Sequence, residues 1–108
     1  MDKQIVLATS DKIEGVNHQV LGMVQGSIVR AKDMGRAFIA NLKAGTVGGE
    51  IKVYTDLLNE ARSTAIARML EQAKAWNADA IVAIRIQTCS VMNGSSEVTA
   101  YGTAVKFV

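Results

Sequence analysis

Residues 19–29, QVLGMVQGSIV, alternate as a strand does, with Val20, Gly22, Val24, Gly26 and Ile28 on one face and Leu21, Met23, Gln25, Ser27 and Val29 on the other. Glycine inside a strand marks the close approach of another backbone. Gly22 and Gly26 share a face, so a helix is expected to pack tightly over it. The only long helical pattern lies at 50–77, where there is no Gly or Pro and Tyr54, Leu58, Ala61, Ala65, Met69, Ala73 and Trp76 recur at spacings of three and four. The alanines of that stripe complement the strand glycines.

The remaining elements follow from shorter signals. QIVLATS at 4–10 reads as a short strand and DKIEGVNH at 11–18 as its connection. Asp33 can cap a short helix over 34–43 that ends at Gly45. ADAIVAIRIQTCSV at 78–91 is rich in β-branched residues; Val82, Ile84 and Ile86 are expected on one face and Arg85, Gln87 and Cys89 on the other. Asn93-Gly94 is a hairpin signal. In the return strand, Val98, Ala100, Gly102 and Ala104 face one way and Thr99, Tyr101, Thr103, Val105 and Phe107 the other.

A helix crossing from the first long strand to the second makes the two parallel, and the last strand, antiparallel to both, fits between them. The expected fold is thus α+β: an antiparallel sheet of three to four strands covered on one face by the long helix, with a short helix beside it. Leu21, Met23, Val29, Tyr101, Val105 and Phe107 would line the other face. The chain has no second long helix to cover that row, so an apolar patch of this size predicts a second subunit there.

Composition narrows the function. The 108 residues suffice for one domain, and 49% are apolar but only 5% aromatic, so the core must be aliphatic. Twelve basic and ten acidic residues are scattered without a basic run, which argues against nucleic acid as a partner. No segment has the apolar length of a membrane span, and the start, MDKQIV, lacks the basic and apolar pattern of a signal peptide. One unpaired cysteine, Cys89, suits a reducing compartment, and the expected location is cytoplasmic.

Several segments together are similar to a known family. VGG at 47–49, Tyr54, Ala61-Arg62, NADAIVAIRI at 77–86, AYGTAV at 100–105 and GMVQGSIV at 22–29 resemble the YbjQ-like family of small bacterial proteins. The resemblance spans nearly the whole chain as a single domain. It implies a dodecin-like subunit assembling into a closed homo-oligomer, a pentameric ring, which agrees with the uncovered sheet face. The family label points to heavy-metal binding. Members carry acidic and aromatic residues where this chain reads QTCSV at 87–91, so a carboxylate-rich site does not transfer. Asn77 stands where the family has glycine, a position that implies a left-handed helix cap, which asparagine tolerates.

Candidate chemistry is sparse. GTVGGEIK at 45–52 matches neither a Walker loop nor a dinucleotide fingerprint. Gly48 and Gly49 are expected to turn the chain at positive φ between two helices; the competing reading is a cradle for a polar or anionic ligand in a subunit cleft, with Tyr54 nearby. Cys89 is a candidate ligand for a soft transition metal, and His18 a second. One Cys and one His cannot complete a tetrahedral site, but a ring supplies further copies. Arg85 and Tyr101, with Leu21, Met23, Val105 and Phe107, are expected at the subunit interface. Arg62 could pair with Glu97, and Trp76 could anchor the core or stack on a flat ligand. No catalytic triad or carboxylate pair is visible. The reading is a non-enzymatic metal-binding homo-oligomer; the alternatives are a flavin-like or nucleotide-like ligand at subunit clefts, or a purely structural role.

Overall fold

The computed structural model describes residues 3–30, 47–90 and 95–108, and side chains over 3–30, 55–90 and 95–108. The elements are β1 (Val6–Leu7), β2 (His18–Arg30), α1 (Val47–Ala75), β3 (Ala80–Ser90) and β4 (Ser96–Phe107). The expected short helix at 34–43 and the Asn93-Gly94 turn lie outside the described residues.

The four strands form one sheet in the order β1-β3-β4-β2. β4 lies between β2 and β3 and runs antiparallel to both, as the crossover predicts. β1 pairs parallel to β3, so the sheet is mixed and not wholly antiparallel.

α1 packs across one face of the sheet. Ala61, Ala65, Met69 and Ala73 are all buried, against Val24, Ile81, Ile84, Val98, Ala100 and Ala104. Gly26 is where the backbones come closest: a Cβ there would collide with Met69 N, Ala65 O and, at 2.7 Å, Arg68 C. At Gly22, φ is +152° and the Trp76 ring lies 3.1 Å from where a Cβ would sit. The centre of the predicted stripe is buried, but Leu58 and Trp76 at its ends are about half exposed.

The helix ends at a left-handed Asn77, φ 57°. Its N–H donates to Lys74 O at 3.0 Å and that of Ala78 to Ala73 O at 3.1 Å. This is a Schellman cap with asparagine in the usual glycine position. Lys3 and Lys106 also donate to Asn77 O, at 3.1 and 2.8 Å, closing the helix with positive charge.

Two bulges change which side chains share a face. The first falls between Val20 and Gly22 on β2 and puts Val20 opposite Val105, on the helix-free side. The second falls between Val82 and Arg85 on β3, where Ala83 takes φ 54°. It places Val82, with Ala80 and Val105, on the helix-free side, while Ile84 joins the helix-side core. The expectation that Val82, Ile84 and Ile86 share a face is therefore corrected: the extra residue reverses the alternation. The N–H of Ala83 donates to Ser10 O at 2.8 Å and that of Ile84 to Ala8 O at 3.1 Å, so the N-terminal segment holds this bulge.

The same segment corrects a second expectation. Val105 is fully buried and Phe107 partly so, because Ile13 packs with them, Ala80 and Val82 in a second small core. At this end the chain covers its own helix-free face over β3 and β4, while Val20 on β2 stays exposed.

Candidate functional site

Beyond the β3 bulge the helix-free face stays open among the described residues, and the register arranges it in cross-strand rows. Gln25, Tyr101 and Arg85 make one row from β2 through β4 to β3; Ser27, Thr99 and Gln87 make the next; Val29, Glu97 and Cys89 make the last. Side chains directly opposite one another lie close enough to interact. All of these residues except Val29 and Arg85 line a shallow concavity of about 440 Å³.

A hydrogen-bond chain runs along its floor. Ser27 Oγ lies 2.9 Å from Thr99 Oγ1, which donates to Glu97 Oε1 at 3.1 Å. Cys89 Sγ lies 4.0 Å from the same carboxylate oxygen. Cys89 is free and exposed. Its thiol and the Glu97 carboxylate thus form two potential metal ligands side by side. Arg85 sits at the other end of the groove, its guanidinium anchored to Thr9 O at 2.9 Å and Ile84 O at 2.8 Å.

The other predicted residues are dispersed. His18 pairs with Phe107 while Cys89 pairs with Glu97, ten residues along β4 and so roughly 33 Å apart. One chain cannot bring His18 and Cys89 to one ion. The His18 ring Nδ1 is buried without a hydrogen-bond partner among the described residues. Gly48 and Gly49 lie inside α1, which begins at Val47, so the expected positive-φ corner at these two residues is corrected to the first helical turn. The side chain of Tyr54 is outside the described ones. Arg62 donates to Asn59 Oδ1 at 2.5 Å, one turn back on its own helix, while Glu97 faces the other side of the sheet.

Of the groove residues, sequence reasoning assigned only Cys89 and Tyr101 to a site; it did not assign Gln25, Ser27, Gln87, Glu97 or Thr99. The missing information was register. A two-residue turn at Asn93-Gly94 would pair Cys89 with Val98, but Ser90 pairs with Ser96 and the carboxylate comes opposite the thiol.

A second concavity, about 190 Å³, lies beside the helix end and is lined by Lys3, Ile5, Lys74, Asn77 and Ala78. Its charges are already engaged. Lys3 Nζ pairs with Asp79 Oδ1 at 2.5 Å, and Asp79 Oδ2 accepts the Phe107 N–H at 2.7 Å. The Lys3 hydrogen bond, then the Phe107 N–H, hold the Asp79 carboxyl below its ordinary value. Asp79 in turn raises the Lys3 ammonium, and the neighbouring Lys3 ammonium lowers that of Lys106. This cluster ties the N-terminal segment to the helix cap.

Among the described residues no three His, Cys, Asp or Glu side chains gather in a way that could hold a metal ion. None of the helices there is long and apolar enough to cross a membrane. The molecule thus has an α+β fold, in which the described residues form a mixed four-stranded sheet, one long helix and a polar groove on the helix-free face. A family model described as "Putative heavy-metal-binding" matches residues 5–108, and the chain belongs to that family.

Its relatives carry names without an activity. A UPF0145 protein of Vibrio parahaemolyticus is 50% identical over 105 residues, covering 96% of this chain and 99% of the relative. One from Helicobacter hepaticus is 51% identical over 92 residues, covering 85% and 88%. Among solved structures, a protein of unknown function of the DUF74 family from Pediococcus pentosaceus is similar in fold, with a TM-score of 0.58 at 14% identity and coverage of 96% and 98%.

Proposed function

We propose that the chain is a non-enzymatic subunit of a closed ring, a pentamer with a dodecin-like subunit fold, that holds a thiophilic metal ion at the Cys89–Glu97 end of the open sheet face. The observation that carries this reading is the cross-strand approach of Cys89 Sγ to Glu97 Oε1, 4.0 Å apart at the rim of the groove. A thiolate and a carboxylate are both zinc ligands, and two of each complete a tetrahedron. One chain supplies half of that set, so the ion requires a second copy. Assembly is supported by Val20, Leu21, Met23 and Val29, apolar side chains that remain 38–65% exposed along β2.

Titration of the purified protein with zinc tests the reading. Wild type is expected to bind no more than one ion per two copies of Cys89, hence at most two in a five-membered ring, with Cys89→Ser abolishing uptake and Glu97→Gln weakening it. Equal uptake by wild type and Cys89→Ser would reject it.

A second reading is favoured by the groove itself. Gln25, Ser27, Gln87, Thr99 and Tyr101 offer donors, acceptors and an aromatic ring to a small organic ligand, and the groove's volume lies within the range of small-molecule sites. Such a ligand would survive Cys89→Ser and be lost in Tyr101→Ala. Neither reading requires nucleic acid or membrane, and both suit a cytoplasmic protein.

A further inference from the structure

Among the described residues β2 is an edge strand of thirteen residues, and apart from the bulge between Val20 and Gly22 its sequence, HQVLGMVQGSIVR, carries none of the usual protection against edge-to-edge pairing. There is no proline, and the interior has no charge to repel a second strand. Protection comes instead from α1, which reaches around the edge. The N–H of Gln25 donates to Gln72 Oε1 at 2.9 Å, and Arg68 Nη1 donates to Ser27 O at 2.6 Å.

Gln25 and Ser27 sit two apart, so their free main-chain groups point the same way, away from β4. Arg68 and Gln72 are four apart and therefore neighbours on one side of the helix. The amide oxygen of Gln72 stands where a pairing strand would present a carbonyl, and the Arg68 guanidinium stands where it would present an N–H. Both side chains are exposed on the helix and fill no core space.

We infer that Arg68 and Gln72 form a clasp that keeps the edge of β2 from pairing with the β2 of a second copy. The second copy is the relevant competitor because it presents the same unprotected edge, and two such edges match antiparallel about a two-fold axis. The clasp acts on the strand edge, whereas the proposed ring contact uses the helix-free face. Clasp and ring can therefore fail separately.

The test is sedimentation of the double variant Arg68→Ala/Gln72→Ala beside wild type, with amide exchange read at Gln25. The expected result is loss of protection at Gln25 in dilute protein and, on concentration, a species of twice the wild-type mass. Gln72→Glu keeps an acceptor for the Gln25 N–H and should keep the wild-type mass. Adding Gln25→Pro to the double variant removes the outward N–H and blocks the edge, which should restore the wild-type mass. A double variant that keeps the wild-type mass at every concentration overturns the inference. So does growth that Gln25→Pro fails to reverse, since that growth would come from unfolding or from another surface.

Discussion

The two halves of the helix-free sheet face are built from the same strands and end in opposite states. At one end Ala80, Val82 and Val105 are buried under Ile13 and Phe107, an apolar patch closed by the chain's own N-terminal segment. At the other end Gln25, Gln87 and Cys89 stay exposed around a half-buried hydroxyl and carboxylate chain of Ser27, Thr99 and Glu97. The β3 bulge divides them, with Val82 on the covered side and Arg85 on the open side. An apolar face drives its own burial, whereas a polar face tolerates water. Only the second can wait for a ligand.

The largest effect that would break this comparison comes from charging the covered half. Val105→Asp places a carboxylate with no partner between Val82 and Ile13 and should cost about 3–5 kcal/mol. Gln87→Ala, in the open half, should stay within about 0.5 kcal/mol. Denaturant midpoints of the two variants measure the contrast, and equal losses would show that the two halves do not differ as described.

Next in size is the support beneath the open half. Gly26→Ala would drive a methyl group into the α1 backbone at Ala65 and Met69. The helix would have to lift, at a cost of about 2–3 kcal/mol. A thermal shift smaller than that of a surface substitution would mean that the close approach is slack.

The boundary between the halves gives a smaller effect of opposite sign. Ala83 is held at φ 54°, a conformation unfavourable for alanine and free for glycine. Ala83→Gly should therefore stabilise the fold by about 1 kcal/mol, read from thermal melts, while leaving metal uptake unchanged.

The smallest effect concerns pH at the covered end. The folded-state pKa of Asp79 lies below its ordinary 3.8 because Lys3 and the Phe107 N–H bond its charged form. A depressed carboxyl adds stability that is complete above the ordinary value and is lost as pH falls through the folded one. Melting temperature should consequently fall less steeply below about pH 4 in Asp79→Asn than in wild type. Parallel acid profiles would show that the Lys3 contact contributes nothing.

Where the sequence was legible, a single face carried the pattern. Ala61, Ala65, Met69 and Ala73 at helical spacing, and Gly26 opposite them, define the helix–sheet contact from spacing alone. AIVAI at 80–84 is apolar on both faces, so no alternation marks the bulge inside it. The uncovered row was only half correct for the same reason, since Ile13 sits in a segment whose polar composition reads as a connection. Of the candidate site, Cys89 was visible as a residue type, but Glu97 became its neighbour only through the strand register. The glycines at 48 and 49 looked like a corner because glycine in a first helical turn leaves the same trace in sequence as glycine in a loop.

Native mass spectrometry of freshly purified wild type and Cys89→Ser, with zinc in the growth medium, tests the proposed site most directly. The account predicts a closed assembly that retains zinc in wild type, at no more than one ion per two chains, and an assembly of unchanged size without zinc in the variant. A monomer, or an assembly with equal metal content in both proteins, would contradict it.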